Sequence, residues 1–335
     1  MPAATASPAA ARAPRRVAVV RALMLGDLLC AVPALRSFRA AFPGAEIVLV
    51  GLGWARELVP RFRHLLDGFL ELPGFPGLRE TEPRVRDLPR FLERAHRLEL
   101  DLAVQLHGSG RVTNPLAFLL GARRTAGFYP PGEPCPDPEL FVPYPEQGHE
   151  IHRLLRLPEH LGLPADGDRL EFPLGPADGA EVAAIAPGLS RGSYACVHPG
   201  ARSAAPWEAE GFAHVADVIA GHGLGVVVTG TAGERATARG VALTARTPVV
   251  DLVGRTSLGG LAALLAGARL LVSNDTGVAH LAAALAVPSV VVVTTSDPER
   301  WAPLDRELHR AVVRPSTPAP VVAAAESLLA ASVAA

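Results

Sequence analysis

The second half of this chain alternates wholly apolar runs with helical patterns, and that alternation constrains the fold more than any other feature. "YACVHPG", "GLGVVVTG", "TPVVDLVG", "ARLLVSND" and "PSVVVVTT" read as buried strands, since short continuous apolar runs bounded by turn formers suit strands covered on both faces. Between them, "PWEAEGFAHVADVIAGHG", "GERATARGVALTA", "SLGGLAALLAG" and "GVAHLAAALAV" carry helical patterns. This order dictates a doubly wound parallel sheet, whose ligands bind outside the carboxyl ends of its strands. Each run ends in a polar loop: His198-Pro199-Gly200, Thr229-Gly230, Gly254-Arg255-Thr256, Asn274-Asp275-Thr276 and Thr294-Thr295-Ser296.

The first half repeats the theme. "VAVVRA" reads as a strand, and Leu28, Val32, Leu35, Phe38 and Phe42 recur at helical spacing on one face. Pro33 has no N–H and clashes inside a helix, so the spacing predicts a bend or restart there. "PGAEIVLVG" closes a β-α-β unit, and "LELDLAVQLHGSG" adds a strand with a glycine-rich loop. The proline-rich stretch 130–149 reads as a long irregular loop. The domain boundary falls in the next Pro/Gly stretch, "PADGDRLEFPLGPADG". The organisation expected is a disordered N-terminal extension over 1–16, a Rossmann-like domain over 17–170 and a second Rossmann-like domain over 171–315. A C-terminal helix over 316–335 is expected to pack back on the N-terminal domain. The fold class is α/β, with two doubly wound domains facing across a cleft.

Composition narrows the function. The 335 residues suffice for two cores, and the net charge of -1 argues against nucleic acid as a partner. All 32 basic residues are arginine, so a phosphate clamp here has to use guanidinium. Cys30, Cys135 and Cys196 are scattered without metal-ligand spacing, which fits a reducing, cytoplasmic setting. The opening "MPAATASPAAARAPR" lacks the apolar core of a signal peptide, and no run is long enough to span a bilayer.

Several motifs fail on context. "GLSRG" at 188–192 matches a nucleophile elbow, but a strand follows Ser190 instead of preceding it. "DGD" at 166–168 sits in the interdomain loop, where a solvated turn explains it. "GHGLG" at 221–225 precedes its strand, whereas a dinucleotide fingerprint follows one. In "SNDTGVAHLAAALAVP", by contrast, Asp275 or Thr276 caps a helix directly after a strand. The N–H groups of that helix's first turn then face whatever binds beyond the strand.

"VVRALMLGDLLCAVPALRSFRAAFPGAEI" resembles the N-terminal signature of the family-nine glycosyltransferases, the ADP-heptose:lipopolysaccharide heptosyltransferase family. "DLVGRTSLGGLAALLAGARLLVSNDTGVAHLAAALAVPSVVVV" resembles their C-terminal signature. "VHPGARSAAPWEAEGFAHVAD", "VVVTGTAGERATARG" and "SDPERWAP" follow in order, so the similarity runs from Val17 to Pro303.

The resemblance implies a GT-B fold and metal-independent, inverting transfer of a heptose, from ADP-heptose, to a hydroxyl of a lipopolysaccharide-core, other glycan or metabolite acceptor. It implies no cofactor, a monomer, and peripheral association with the inner membrane through a lipid-linked acceptor. Asp27 would be the catalytic base, beside Gly26 on the acceptor side. By position alone, just after "QLHGSG", Arg111 and Asn114 are candidates for contacting the acceptor, with a solvated loop as the alternative. Gly200, Arg202, Ser203, Thr229, Gly230, Glu234, Arg255, Asp275, Thr276, Gly277 and His280 would form the donor site. Glu234 would reach the ribose, and the residues from Asp275 to His280 the phosphates.

The chemistry fits these residue types. A sugar hydroxyl needs a carboxylate to take its proton, and a departing diphosphate needs N–H groups to meet its growing charge. Two departures stand out. Ala204-Ala205-Pro206 replaces the family's lysine ahead of Trp207, leaving Arg202 or Arg255 for its role, and Thr294-Thr295 replaces Gly-Pro. The rival reading, a nucleotide-sugar epimerase of the same architecture, has the DTG-x-x-H block against it.

Overall fold

The computed structural model describes residues 13–201 and 205–331. Residues 1–12 of the expected extension, and Arg202 and Ser203 of the expected donor site, lie outside the described residues. The chain divides into two compact units, residues 1–169 and 170–335.

The N-terminal unit holds six parallel strands: β1 (Arg16–Val20), β2 (Glu46–Gly51), β3 (Gly68–Glu71), β4 (Leu102–Gln105), β5 (Arg124–Tyr129) and β6 (Phe141–Pro143). Their order is β3-β2-β1-β4-β5-β6, with Val17 in register with both Ile47 and Leu102. The C-terminal unit repeats the plan with β7 (Tyr194–His198), β8 (Gly225–Val228), β9 (Val249–Asp251), β10 (Leu271–Asn274), β11 (Ser289–Val293) and β12 (His309–Val313). Its order is β12-β11-β10-β7-β8-β9. Both sheets therefore reverse direction of growth between their first and fourth strands, at β1/β4 and at β7/β10. A reversal of this kind leaves a crevice at the strands' carboxyl ends, where doubly wound proteins take ligands.

Pro33 has the predicted effect. One helix ends at Cys30, Ala31 turns, and a second runs Val32–Ala41 with proline in its first turn, where the missing N–H costs nothing. Leu28, Val32, Leu35, Phe38 and Phe42 are all buried.

Two expectations differ from the structure. The proline-rich stretch 130–149 is not wholly irregular, because Phe141–Pro143 forms the edge strand β6, where proline is tolerated. The C-terminal helix, expected on the N-terminal domain, runs Ala319–Ala331 and places Val321, Ala325, Leu328 and Leu329 in the second domain's own core. Its neighbours there include Phe212, Val290 and Val292. No helix among the described residues is long and apolar enough to cross a membrane.

Because the second core is closed by residues of its own unit, residues 170–335 expressed alone are expected to fold. Circular dichroism should show a cooperative melting transition. A gradual, featureless thermal profile would show that this core needs the first domain.

Candidate active site

At the N-terminal switch point, the segment after β1 is held by Arg21, whose side chain is 1% exposed. Leu28, Leu29 and Cys30 start the turn toward Pro33, and the Ala31 N–H goes to the Leu28 carbonyl, leaving the Asp27 carbonyl without its usual helical donor. Arg21 fills the gap, donating to Asp27 O from Nε at 3.1 Å and Nη2 at 2.7 Å. The same guanidinium donates to the Leu106 carbonyl after β4 and pairs with the buried Glu150 at 3.2 Å. Tyr144 donates to the other Glu150 oxygen at 3.3 Å. Such saturation is what a buried ion pair requires, since Coulomb attraction alone seldom repays desolvation.

Asp27 is half-buried in the first turn of its short helix, and its Oδ2 accepts from the Met24 N–H at 3.3 Å. Gly26 beside it is buried. Arg111 and Asn114 do not join them in one role. Arg111 is exposed and paired with Glu133 at 2.5 Å. Asn114 lies beneath the loop, its amide donating to the Phe128 carbonyl of β5 at 2.8 Å.

The C-terminal switch point is bridged by Asn274. Its Nδ2 donates to the Pro199 carbonyl after β7 at 2.8 Å, and its Oδ1 accepts from the Trp207 N–H at 3.1 Å. Trp207 itself is buried, edge-on to Phe212 with ring centroids 4.8 Å apart, so it anchors the loop instead of facing a ligand. Glu234 lies over Gly200 and Gly230. Its Oε2 accepts from the Thr231 N–H at 2.7 Å and hydroxyl at 2.8 Å. A Cβ on Gly200 would collide with the Glu234 carboxylate, which explains glycine at that place. His198 is buried with Nδ1 3.0 Å from Thr229 Oγ1, and burial pushes its pKa down to about 4 against the pull of Glu234.

Thr276, not Asp275, is the N-cap of the helix Gly277–Ala284. The Thr276 hydroxyl oxygen is buried without a hydrogen-bond partner. Asp275 instead accepts a short hydrogen bond from the Ser296 hydroxyl, which ties the loop after β10 to the loop after β11. His280, in the same helix, is buried edge-on to Trp301 with centroids 6.1 Å apart. Arg255 is exposed in the loop after β9. Gly200, Thr229, Gly230, Glu234, Asp275, Thr276, Gly277 and His280 thus gather at the carboxyl end of one sheet. Asn274 and Ser296, absent from the expected site, are the residues that hold its loops. Among the described residues, no group of three or more His, Cys, Asp or Glu is placed to hold a metal.

A family model described as "Glycosyltransferase family 9 (heptosyltransferase)" matches residues 142–327, more than half of the chain. The chain belongs to glycosyltransferase family 9. It is 26% identical over 84% of its length, and 79% of the relative's, to lipopolysaccharide heptosyltransferase 1 of Pseudomonas aeruginosa. Among solved structures it is similar to a family 9 glycosyltransferase from Veillonella parvula, at a TM-score of 0.79, 21% identity and coverage of 95% and 97% of the two chains. It is also similar to the Escherichia coli heptosyltransferase WaaC with ADP, at a TM-score of 0.71, 21% identity and coverage of 93% and 99%. The two sheets are the paired domains of the GT-B fold, and the protein is a glycosyltransferase of the heptosyltransferase family.

The family member described here buries three neutral histidines. Burial, reinforced by the Arg21 charge, lowers His107 to about 3; burial lowers His198 and His309 each to about 4. In the unfolded chain each takes a proton near its ordinary value of 6.5. The unfolded state then binds more protons between that value and the folded one. Their stabilising contribution is therefore intact above the ordinary value and is lost as pH falls toward 4. Calorimetry at pH 7 and pH 5 should show a loss of roughly 1–2 kcal/mol per histidine. A flat profile over that window would mean that the three rings are not buried neutral.

Proposed function

We propose that this protein transfers a heptose from ADP-heptose to a hydroxyl of a lipopolysaccharide-core, other glycan or metabolite acceptor, with inversion and without a metal. The observation that carries this reading is Thr276. A buried hydroxyl with no partner is costly unless something arrives to bond it. This one caps a helix at the sheet's switch point, where the N–H groups of the first turn concentrate positive charge. A diphosphate satisfies both. ADP in the WaaC structure, and the lipopolysaccharide heptosyltransferase named among the relatives, support the nucleotide, the sugar and the glycan acceptor.

Asp27 takes the proton of the acceptor hydroxyl as that oxygen bonds to the anomeric carbon. The bond from that carbon to the donor phosphate breaks from the opposite face, and ADP leaves with the electron pair. Attack opposite the leaving group inverts the centre. Thr276, the Gly277 N–H, the helix N-terminus and Arg255 receive the charge on the leaving phosphate in place of a metal. Glu234 accepts from the ribose hydroxyls, as an acceptor-only group next to a glycine is suited to do. On this reading the protein works in the cytoplasm and needs no cofactor.

Two measurements test it together. ADP should raise the melting temperature more than UDP or GDP at equal concentration. Asp27→Asn should keep the fold, because asparagine also accepts from the Met24 N–H, and should keep ADP binding. Its kcat should fall ~10²–10⁴-fold, the usual loss on removing a general base. Wild-type turnover by this variant would leave Asp27 a helix cap only, and conversion of the donor to an epimer without any acceptor would favour epimerisation over transfer.

A further inference from the structure

Two polar groups at the N-terminal switch point hold hydrogen-bonding capacity that the chain does not use. His107 follows β4, and its Nδ1 accepts from the Ala22 N–H at 3.2 Å. The neutral ring therefore carries its proton on Nε2. That atom stands 3.9 Å from Glu80 Oε1, beyond hydrogen-bond distance. Glu80 Oε2 is buried and has no hydrogen-bond partner. A buried acceptor left unpaired costs free energy, and native chains normally satisfy it from water or a ligand.

Glu80 is built into place. The loop 73–84 that carries it is closed by a hydrogen bond from the Arg84 N–H to the Pro73 carbonyl at 2.9 Å. Phe75 and Leu78 pack against the domain core. Gly74 adopts φ +86°, and a Cβ there would press to 2.8 Å from Pro83 Cα. The loop is thus a compact closed one packed by its own side chains. It brings a carboxylate beside His107, which follows β4 and bonds Ala22 after β1, at the carboxyl ends of strands where ligands of such sheets bind. Arg21, whose charge acts on His107, is already engaged by Glu150, Asp27 and Leu106.

We propose that Glu80 and His107 form an acceptor subsite that recognises the hydroxyls of an uncharged sugar. Glu80 Oε2 accepts from one hydroxyl, and His107 Nε2–H donates to the oxygen of another. This rests on the reading above, in which the acceptor binds the N-terminal domain. It narrows that reading to a substrate class. A carboxylate or phosphate at this subsite would meet the Glu80 carboxylate, and the ring beside it, neutral because burial depresses it, offers no compensating charge. Acidic groups of the acceptor, if it has any, lie elsewhere.

The test is a ligand-observed NMR titration of the full chain with the methyl pyranosides of glucose, galactose and mannose and with their matching uronates. The wild type should bind at least one neutral glycoside ~10-fold more tightly than its uronate, the size expected for a like-charge contact near a surface. Glu80→Gln keeps the shape and removes the charge, and should bring that ratio to near unity. His107→Phe should weaken the neutral glycoside while leaving Glu80's bias. Melting curves of each variant establish that it is folded. Equal binding of the paired sugars by the wild type, binding of none at tens of millimolar, or an unchanged ratio in Glu80→Gln would overturn the subsite. Failure of ADP to stabilise the same wild-type sample would instead overturn the transferase reading and leave the sugar result standing.

Discussion

Arg21 holds together the parts of the N-terminal domain that matter for chemistry. One guanidinium binds the carbonyl that precedes the turn at Ala31, the carbonyl that leaves β4, and the carboxylate of Glu150 on a separate helix. Its planar fork is suited to this in a way that lysine is not, since donors in fixed directions reach three acceptors at once. Truncating either member of a buried pair usually costs about 3–5 kcal/mol. Here the larger consequence is geometric. The Asp27 carbonyl would lose the guanidinium that ties it to the Leu106 carbonyl after β4, and the carboxylate would lose its fixed position with it.

The two sheets solve one problem by different means. A doubly wound sheet opens at its switch point, and the loops there have to stand apart to admit a ligand while remaining fixed. In the first domain a charged side chain and a histidine ring bridge the gap, from Arg21 to Leu106 and from His107 to Ala22. In the second a neutral amide does so, Asn274 reaching Pro199 and Trp207. The difference suits the charges each crevice is proposed to meet. A neutral clip leaves the helix N-terminus at Gly277 as the strongest local field, which favours a diphosphate. The charge of Arg21 is already neutralised by Glu150, so it adds little field for an uncharged sugar.

What could be read in the sequence follows the range of the interactions. The central strands of the second domain were legible because burial on both faces leaves an unbroken apolar run. The break at Pro33 was legible because proline acts on its own turn. Edge strands such as "FVP" and "HRAVV" are short and partly exposed, so their pattern is no different from a loop's. The site divides in the same way. Thr276 and Gly277 are a local turn, and they sit where the reading placed them. The Ser296 partner of Asp275, the Glu150 partner of Arg21 and the Glu80 neighbour of His107 are distant in sequence, and nothing local marks them. Asn114 shows the converse: a polar residue after a glycine-rich loop read as an acceptor contact or a solvated loop, yet it is buried with its amide donating to the Phe128 carbonyl of β5.

The helix Ala319–Ala331 gives the two domains different histories on the ribosome. Every residue of the first domain's core has been made by residue 169, so it can condense while the second is still being synthesised. The second domain cannot. Leu328 and Leu329 close a core whose other walls, Val197 and Phe212 among them, were laid down more than a hundred residues earlier. Until those leucines emerge, the strands β7, β10 and β11 expose an apolar face that the helix Ala319–Ala331 covers. Nascent chains stalled before that helix should therefore be the aggregation-prone species, and crowding a fusion partner against it would prolong the same exposure.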